Sequence, residues 1–111
     1  PFYCDYGYNI KVGENFYANF NMVILDEAPV TFGDNVFIAP NCGFYTAGHP
    51  LNPVERNKGL EYGRPITIGD NVWIGAGVHV LPGNRRQLCD WLRQCGGERY
   101  SGEFGGRWKS L

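Results

Sequence analysis

The feature that most constrains this fold is an apolar pattern that recurs every six residues. A triplet of Gly, then Asp or Glu, then Asn occurs three times, beginning at Gly13, Gly33 and Gly69. A single strand has a period of two and an α-helix a period of 3.6, so neither element accounts for a period of six. Apolar or small side chains surround the triplets at steps of six: Ile10, Phe16 and Met22 with Val12, Ala18 and Ile24; Val30, Val36 and Cys42 with Phe32, Ile38 and Phe44; Ile66, Val72 and Val78 with Ile68, Ile74 and Val80.

The six-residue period predicts a coil with three short strands in each turn of about 18 residues. The recurring side chains would point into a common core, and the glycine that opens each triplet would allow a tight corner at positive φ. We therefore expect an all-β fold, a left-handed parallel β-helix of hexapeptide repeats with a triangular cross-section. An antiparallel sandwich with Gly-Asn turns is the alternative. The 36 residues from Phe32 to Ile68 form a whole number of hexads, which argues against the sandwich.

The repeat is interrupted once, between about Thr46 and Arg64. This stretch contains Pro50 and Pro53 and ends just before Pro65. A solenoid accommodates such an insertion as a surface loop, and surface loops commonly carry function. We therefore expect functional residues in the loop at 46–64.

Length and composition restrict the class of protein. A chain of 111 residues has room for one core, and its net charge of −1 with 43% hydrophobic residues describes neither a disordered acidic chain nor a strongly basic nucleic-acid binder. No stretch approaches the roughly 20 apolar residues of a membrane span. The four cysteines lack zinc-ligand spacing. We expect a cytoplasmic protein without nucleic-acid or membrane partners.

The composition changes at Gly83, which divides the chain into a repeat domain at 1–83 and a tail at 84–111. The repeat domain has a net charge of −4, whereas the tail has a net charge of +3 and contains neither Val nor Ile. Because the first residue is Pro1 rather than Met, we expect the chain to be a fragment.

Two interpretations of this tail stay open. The codons that can encode residues 83–96 permit another pair of hexapeptides in a shifted reading frame, which indicates a small insertion or deletion in the gene. Taken at face value, the tail predicts an amphipathic helix at 86–95 that caps the coil, followed by a disordered glycine-rich segment. The apolar side of that helix would consist of Leu88, Trp91, Leu92 and Cys95.

Three side chains fit acid–base or hydrogen-bonding chemistry. Histidine side chains can take a proton near neutral pH, so His49, in the loop, suits a general base, although a histidine that only caps a bend is the alternative. Glu61, at the other end of the loop, could accept the Nδ1 proton of His49 and fix its tautomer, although a solvated glutamate is the alternative. Asn19 offers an amide donor on an outer corner, where asparagines are usually structural.

Four segments closely resemble the maltose and galactoside O-acetyltransferases, a family of hexapeptide-repeat enzymes that use acetyl-CoA. They are Phe-Tyr-Cys-Asp-Tyr-Gly at 2–7, Asn-Phe-Tyr-Ala-Asn-Phe-Asn at 15–21, Tyr-Thr-Ala-Gly-His-Pro-Leu at 45–51 and Pro-Ile-Thr-Ile-Gly-Asp-Asn-Val-Trp-Ile-Gly at 65–75. The resemblance covers residues 1–83 without a gap.

The resemblance implies a role for each matching residue. His49 would be the base that deprotonates a sugar hydroxyl as it attacks the thioester of acetyl-CoA, and Asn19 would contact the acceptor and stabilise the oxyanion. Family members are homotrimers that need no metal, so these two side chains would meet across a subunit interface. The acceptor pocket would be lined by Asp5, Asp26 and Glu27, and the thioester arm of CoA by Ala76 and Trp73.

The sequence also departs from the family. Members begin with a helical segment that this chain lacks, and after Leu-Pro-Gly they continue with another coil and a Thr-Lys segment that holds CoA, where this chain has Asn84 to Gln87. The alternatives to a sugar O-acetyltransferase are therefore an inactive remnant or scaffold with the same coil, and an acyltransferase that acts on a different acceptor.

Overall fold

The chain winds through three parallel β-sheets and contributes one strand to each sheet in every turn. The computed structural model describes residues 1–82. Sheet A consists of β1 (Phe2–Cys4), β4 (Met22–Leu25), β7 (Gly43–Tyr45) and β12 (His79–Val80). Sheet B consists of β2 (Ile10–Lys11), β5 (Val30–Phe32) and β10 (Ile66–Ile68), and sheet C of β3 (Tyr17–Ala18), β6 (Phe37–Ile38) and β11 (Trp73–Ile74). This topology is a three-sided parallel β-helix, as the six-residue period predicts.

Residues of successive turns lie directly above one another. In sheet B, Ile10 pairs with Val30 and Val30 with Ile66. The first of these turns spans 20 residues rather than the expected 18, because the corner between sheets A and B contains two extra residues at 26–29. The same corner carries the long insertion one turn later, so the chain leaves the hexad pattern at one edge of the coil.

The recurring side chains form the core, except at one end of the coil. From Met22 onward the residues of both ladders are buried. In the first turn Ile10, Phe16 and Ala18 are only partly buried, and Val12 is 53% exposed. Val12 is therefore not buried as its place in the ladder predicts, because among residues 1–82 no strand of sheet B or C lies beyond the first turn.

At the corners between sheets B and C, asparagine rather than glycine adopts the positive φ. Asn15, Asn35 and Asn71 have φ values of 54°, 55° and 56°, which asparagine tolerates better than most side chains. Their amides stack, with Nδ2 of Asn15 donating to Oδ1 of Asn35 at 3.0 Å and Nδ2 of Asn35 donating to Oδ1 of Asn71 at 3.3 Å. The prediction of positive-φ glycines in the triplets is wrong for Gly13 and Gly33, which instead allow close stacking. A Cβ on Gly13 would lie 2.5 Å from the carbonyl oxygen of Gly33.

The insertion is a short hairpin with a helical turn at its tip. It contains β8 (Ala47–Gly48), α1 (Pro53–Arg56) and β9 (Tyr62–Gly63), and β8 pairs antiparallel with β9. Within the described part of the chain, the four residues of α1 are the one departure from an all-β fold. No helix in residues 1–82 is long and apolar enough to cross a membrane. The helix predicted at 86–95 and the disordered segment after it lie outside the described residues. The left-handed sense of the coil stays a prediction.

Candidate active site

One corner of the coil, between sheets A and B, brings together most of the predicted site residues. Three segments follow strands of sheet A there: residues 5–9 after β1, residues 26–29 after β4, and the insertion after β7. Because the strands of sheet A are parallel and in register, these segments lie at the same edge of the coil, one above another.

A buried aspartate holds the first of these segments. The side chain of Asp26 has no exposed surface. Its Oδ1 accepts the N–H groups of Asp5 and Tyr6 at 3.2 and 2.9 Å, and its Oδ2 accepts those of Gly7 and Asn9 at 2.8 and 3.2 Å. Burial raises the pKa of Asp26, but the N–H donors outweigh it and bring the pKa below its usual value. Asp26 therefore binds the chain's own backbone, whereas its sequence assignment was to the wall of the acceptor pocket.

A buried threonine fixes the base of the insertion. The hydroxyl of Thr46 donates to the carbonyl oxygen of Leu25 at 2.6 Å and accepts the N–H of Ala28 at 3.0 Å. Its carbonyl oxygen accepts the N–H of Arg64 at 2.9 Å, which ties the end of the insertion to its beginning. The loop therefore leaves the coil from a rigid base, and Thr46, predicted as the first loop residue, lies in the core.

The tip of the insertion is closed by its own polar groups. Asn52 caps α1 by accepting the N–H of Val54 at 2.9 Å, and Pro53 occupies the start of the helix. The guanidinium of Arg56 donates to the carbonyl oxygen of Leu51 at 3.2 Å. These contacts fix the tip of the insertion, which His49 precedes in the chain and Glu61 follows.

His49 is oriented by a backbone carbonyl. Its side chain is exposed, and its Nδ1 lies 3.1 Å from the carbonyl oxygen of Leu60. A carbonyl oxygen only accepts hydrogen bonds, so Nδ1 carries the proton in this contact and Nε2 of the neutral ring is left as an acceptor. The group that sets the tautomer is thus Leu60, and the predicted Nδ1 contact with the carboxylate of Glu61 is wrong.

Glu61 instead belongs to a carboxylate group beside the histidine. Glu61 lies close enough to Glu27 to raise its pKa, and the charges of Asp5 and His49 act on Glu27 as well. Desolvation and then the charges of Glu61 and Asp5 raise the pKa of Glu27, while His49 lowers it. Because two neighbouring carboxylates repel each other when both are ionised, the Glu27–Glu61 pair tends to retain one proton.

Asn19, Trp73 and Ala76 lie at a different part of the coil. Asn19 stands between β3 and β4, at the corner of sheets C and A, and its Oδ1 accepts the N–H of Phe20 at 2.8 Å. Trp73 lies on sheet C two turns above Tyr17, is 48% exposed, and is followed by exposed Ala76 at the same corner as Asn19. One chain therefore does not bring Asn19 to His49.

Comparison with known proteins shows which enzymes this chain is similar to. No protein-family model matches the chain. The galactoside O-acetyltransferase of Escherichia coli is 54% identical over 83 residues, which are 75% of this chain and 41% of that protein. The structure of a maltose O-acetyltransferase from Clostridium difficile is 57% identical and has a TM-score of 0.73, covering 75% of this chain and 44% of the other. A galactoside acetyltransferase in complex with coenzyme A is 54% identical with a TM-score of 0.72, covering 75% and 42%.

The chain spans less than half the length of each of these proteins. Within that span both the sequence and the backbone agree, and the matched structures belong to sugar acetyltransferases. Over these 83 residues the chain is therefore homologous to the galactoside and maltose O-acetyltransferases.

Proposed function

We propose that the protein transfers an acetyl group from acetyl-CoA to a hydroxyl of a sugar, with His49 as the general base. The observation that carries this proposal is the contact between Nδ1 of His49 and the carbonyl oxygen of Leu60 at 3.1 Å. It leaves Nε2 of an exposed imidazole free to accept a proton. The named activities of the relatives support the sugar acceptor, and the relative solved with coenzyme A supports the donor.

The reaction follows from this tautomer. Nε2 of His49 takes the proton of the acceptor hydroxyl as its oxygen attacks the thioester carbonyl of acetyl-CoA. A C–O bond forms, the C–S bond breaks, and the proton passes to the leaving sulfur, so that the products are an acetyl ester and CoA. Asp5 and the Glu27–Glu61 pair accept hydrogen bonds from other hydroxyls of the sugar. We propose no metal in this scheme.

The oxyanion donor comes from a second copy of the chain in this proposal. Asn19 lies at the corner of sheets C and A, whereas His49 extends from the corner of sheets A and B. A homotrimer of left-handed coils would place the insertion of one subunit against the Asn19 corner of the next. There the amide NH2 of Asn19 donates to the oxyanion, and Trp73 and Ala76 contact the thioester arm of CoA.

The test measures thiol release from acetyl-CoA with a panel of sugars, amino sugars and non-sugar alcohols. His49→Ala should lower turnover by about 100-fold or more, since general bases typically contribute at least that factor. His79→Ala is the matched control, because His79 is the chain's other histidine and lies exposed on sheet A. Equal turnover in the His49→Ala variant and the wild type would overturn the role of His49. Absence of both thiol release and calorimetric CoA binding in the wild type would favour the inactive scaffold, and a preference for a non-sugar acceptor would favour a different acyltransferase.

A further inference from the structure

The ring of Tyr62 lies directly against the backbone next to the histidine. Tyr62 and Gly48 are opposite each other in the antiparallel pair β8–β9. A Cβ on Gly48 would lie 2.5 Å from the phenol oxygen of Tyr62 and 2.6 Å from its Cε2. Real Cβ atoms do not approach other atoms this closely, so the ring can occupy this place only because residue 48 is a glycine.

A second group holds the same ring. The guanidinium carbon of Arg64 lies 4.9 Å from the centroid of the Tyr62 ring, within the range of a cation–π contact. The backbone N–H of Arg64 donates to the carbonyl oxygen of buried Thr46, so the position of Arg64 is tied to the core. Tyr62 is thus fixed by Gly48 on the opposite strand of the hairpin and by Arg64, which follows its own strand.

This arrangement determines where the carbonyl of Leu60 lies. The pairing of β8 with β9 consists of only two residue pairs, which is a weak ladder by itself. Gly48 directly precedes His49, and Tyr62 follows Leu60 by two residues. The packing of the Tyr62 ring on Gly48 therefore holds together the two backbone segments that carry His49 and Leu60, the partners of the 3.1 Å contact. If the ring is removed, the strands can slide or separate, and Nδ1 of His49 loses its acceptor.

We propose that Tyr62 is a positioning residue that fixes the Nδ1–H tautomer of His49 by holding the carbonyl of Leu60 in place. The consequence for catalysis rests on the proposed function, but the tautomer itself does not. The flat ring is what the contact with Gly48 and Arg64 requires, while the phenol hydroxyl is dispensable. Phenylalanine at position 62 should therefore replace tyrosine.

The experiment is ¹⁵N NMR of the full chain with labelled histidine, at a pH where His49 is neutral. The chain has only two histidines, and two-bond correlations distinguish protonated from unprotonated ring nitrogens. The wild type, Tyr62→Phe and the exposed control Tyr8→Ala should show His49 as one tautomer with the proton on Nδ1. Tyr62→Ala and Gly48→Ala should both show a mixture that includes the Nε2–H form.

His79 reports on folding of the coil in the same spectra, because its Nδ1 is 3.0 Å from the hydroxyl of Tyr45, which joins strands β7 and β12 of sheet A. If Tyr62→Ala changes the His79 signals, Tyr62→Leu replaces it, since leucine retains apolar bulk without a flat ring. An unchanged single Nδ1–H tautomer of His49 in a folded Tyr62→Ala or Tyr62→Leu variant would overturn the proposal. So would loss of that tautomer in Tyr62→Phe.

Turnover provides the second readout. Tyr62→Ala should lower kcat by about tenfold or more with little change in the KM for acetyl-CoA, because a misplaced base affects the chemical step rather than the binding of the donor. Tyr62→Phe should restore kcat. A rise in KM alone would contradict positioning of the base. If the wild type itself shows no turnover, the proposed function fails, while the NMR result still decides the role of Tyr62.

Discussion

Replacement of Asp26 by asparagine tests how the first segment of the site is held. The carboxylate accepts four backbone N–H groups, two on each oxygen, at 2.8 to 3.2 Å. Asparagine keeps one oxygen and presents an NH2 group to the other two donors, which then lose their acceptor. Hydrogen bonds to a charged group are worth about 1.5–3 kcal/mol each. Because the segment lies near the surface and its N–H groups can regain water, we take the lower value and expect a loss of about 3 kcal/mol for the two donors together.

The assay is urea unfolding, with Asp34→Asn as the matched control. Asp34 also accepts a backbone N–H, that of Glu14 at 2.8 Å, but among residues 1–82 it accepts only this one, and it lies at an exposed corner. Its replacement should cost less than about 1 kcal/mol. A loss for Asp26→Asn no larger than that for Asp34→Asn would refute the reasoning.

The same variants have a pH signature. The pKa of Asp26 is lowered in the folded chain, so its contribution to the free energy of unfolding is present above the pKa of the unfolded chain and is lost as the pH falls through the folded pKa. The difference between the wild type and Asp26→Asn should therefore shrink on acidification. A difference that stays constant down to acidic pH would show that the charge of Asp26 is not what the N–H groups require.

Two further predictions concern stacking and the carboxylate group. Gly33→Ala should lower the free energy of unfolding by about 2 kcal/mol or more, since a Cβ there would lie 2.8 Å from the carbonyl carbon of Gly69; Gly75→Ala, where a Cβ meets nothing within 4 Å, should change it by less than about 0.5 kcal/mol. Equal effects in urea unfolding would contradict the role of glycine in stacking. Glu27→Gln should stabilise the chain at neutral pH, because the raised pKa of Glu27 means that its ionised form is disfavoured by folding. That gain should vanish as the pH falls below the usual glutamate range, and a gain independent of pH would exclude the proposed carboxyl pair.

The coil could be predicted from the sequence because its side chains face a common interior at every sixth position. Two of its local features could not. The two extra residues at 26–29 are one of them. The residues there are apolar or acidic, so their types do not predict a wider turn; the turn is wider because buried Asp26 contacts a segment 17 to 21 residues earlier. The positive φ of Asn15 and Asn35 is the other, because Gly13 and Gly33 are needed for the room that a Cβ would fill between stacked backbones and not for a positive φ of their own.

The sequence predicts which residues make up the site better than it predicts the contacts between them. Asp5, Glu27, His49 and Glu61 do meet at one corner, because the insertion folds back over the turn below it. The partner of His49 could not be found from side-chain types, since the carbonyl of Leu60 has no signature in the sequence. In place of the predicted pairing of two titratable side chains, His49 with Glu61, the hairpin brings a main-chain carbonyl to Nδ1 of His49.

The stacked asparagine amides give the coil a direction along its axis. Asn15 donates through Nδ2 to the side-chain oxygen of Asn35, and Asn35 donates in the same way to Asn71. Within the described residues, Asn15 therefore ends the series with an unused oxygen and Asn71 with an unused NH2 group. A further rung with the same polarity can extend either end by the same bond, whereas an inverted rung would set donor against donor or acceptor against acceptor.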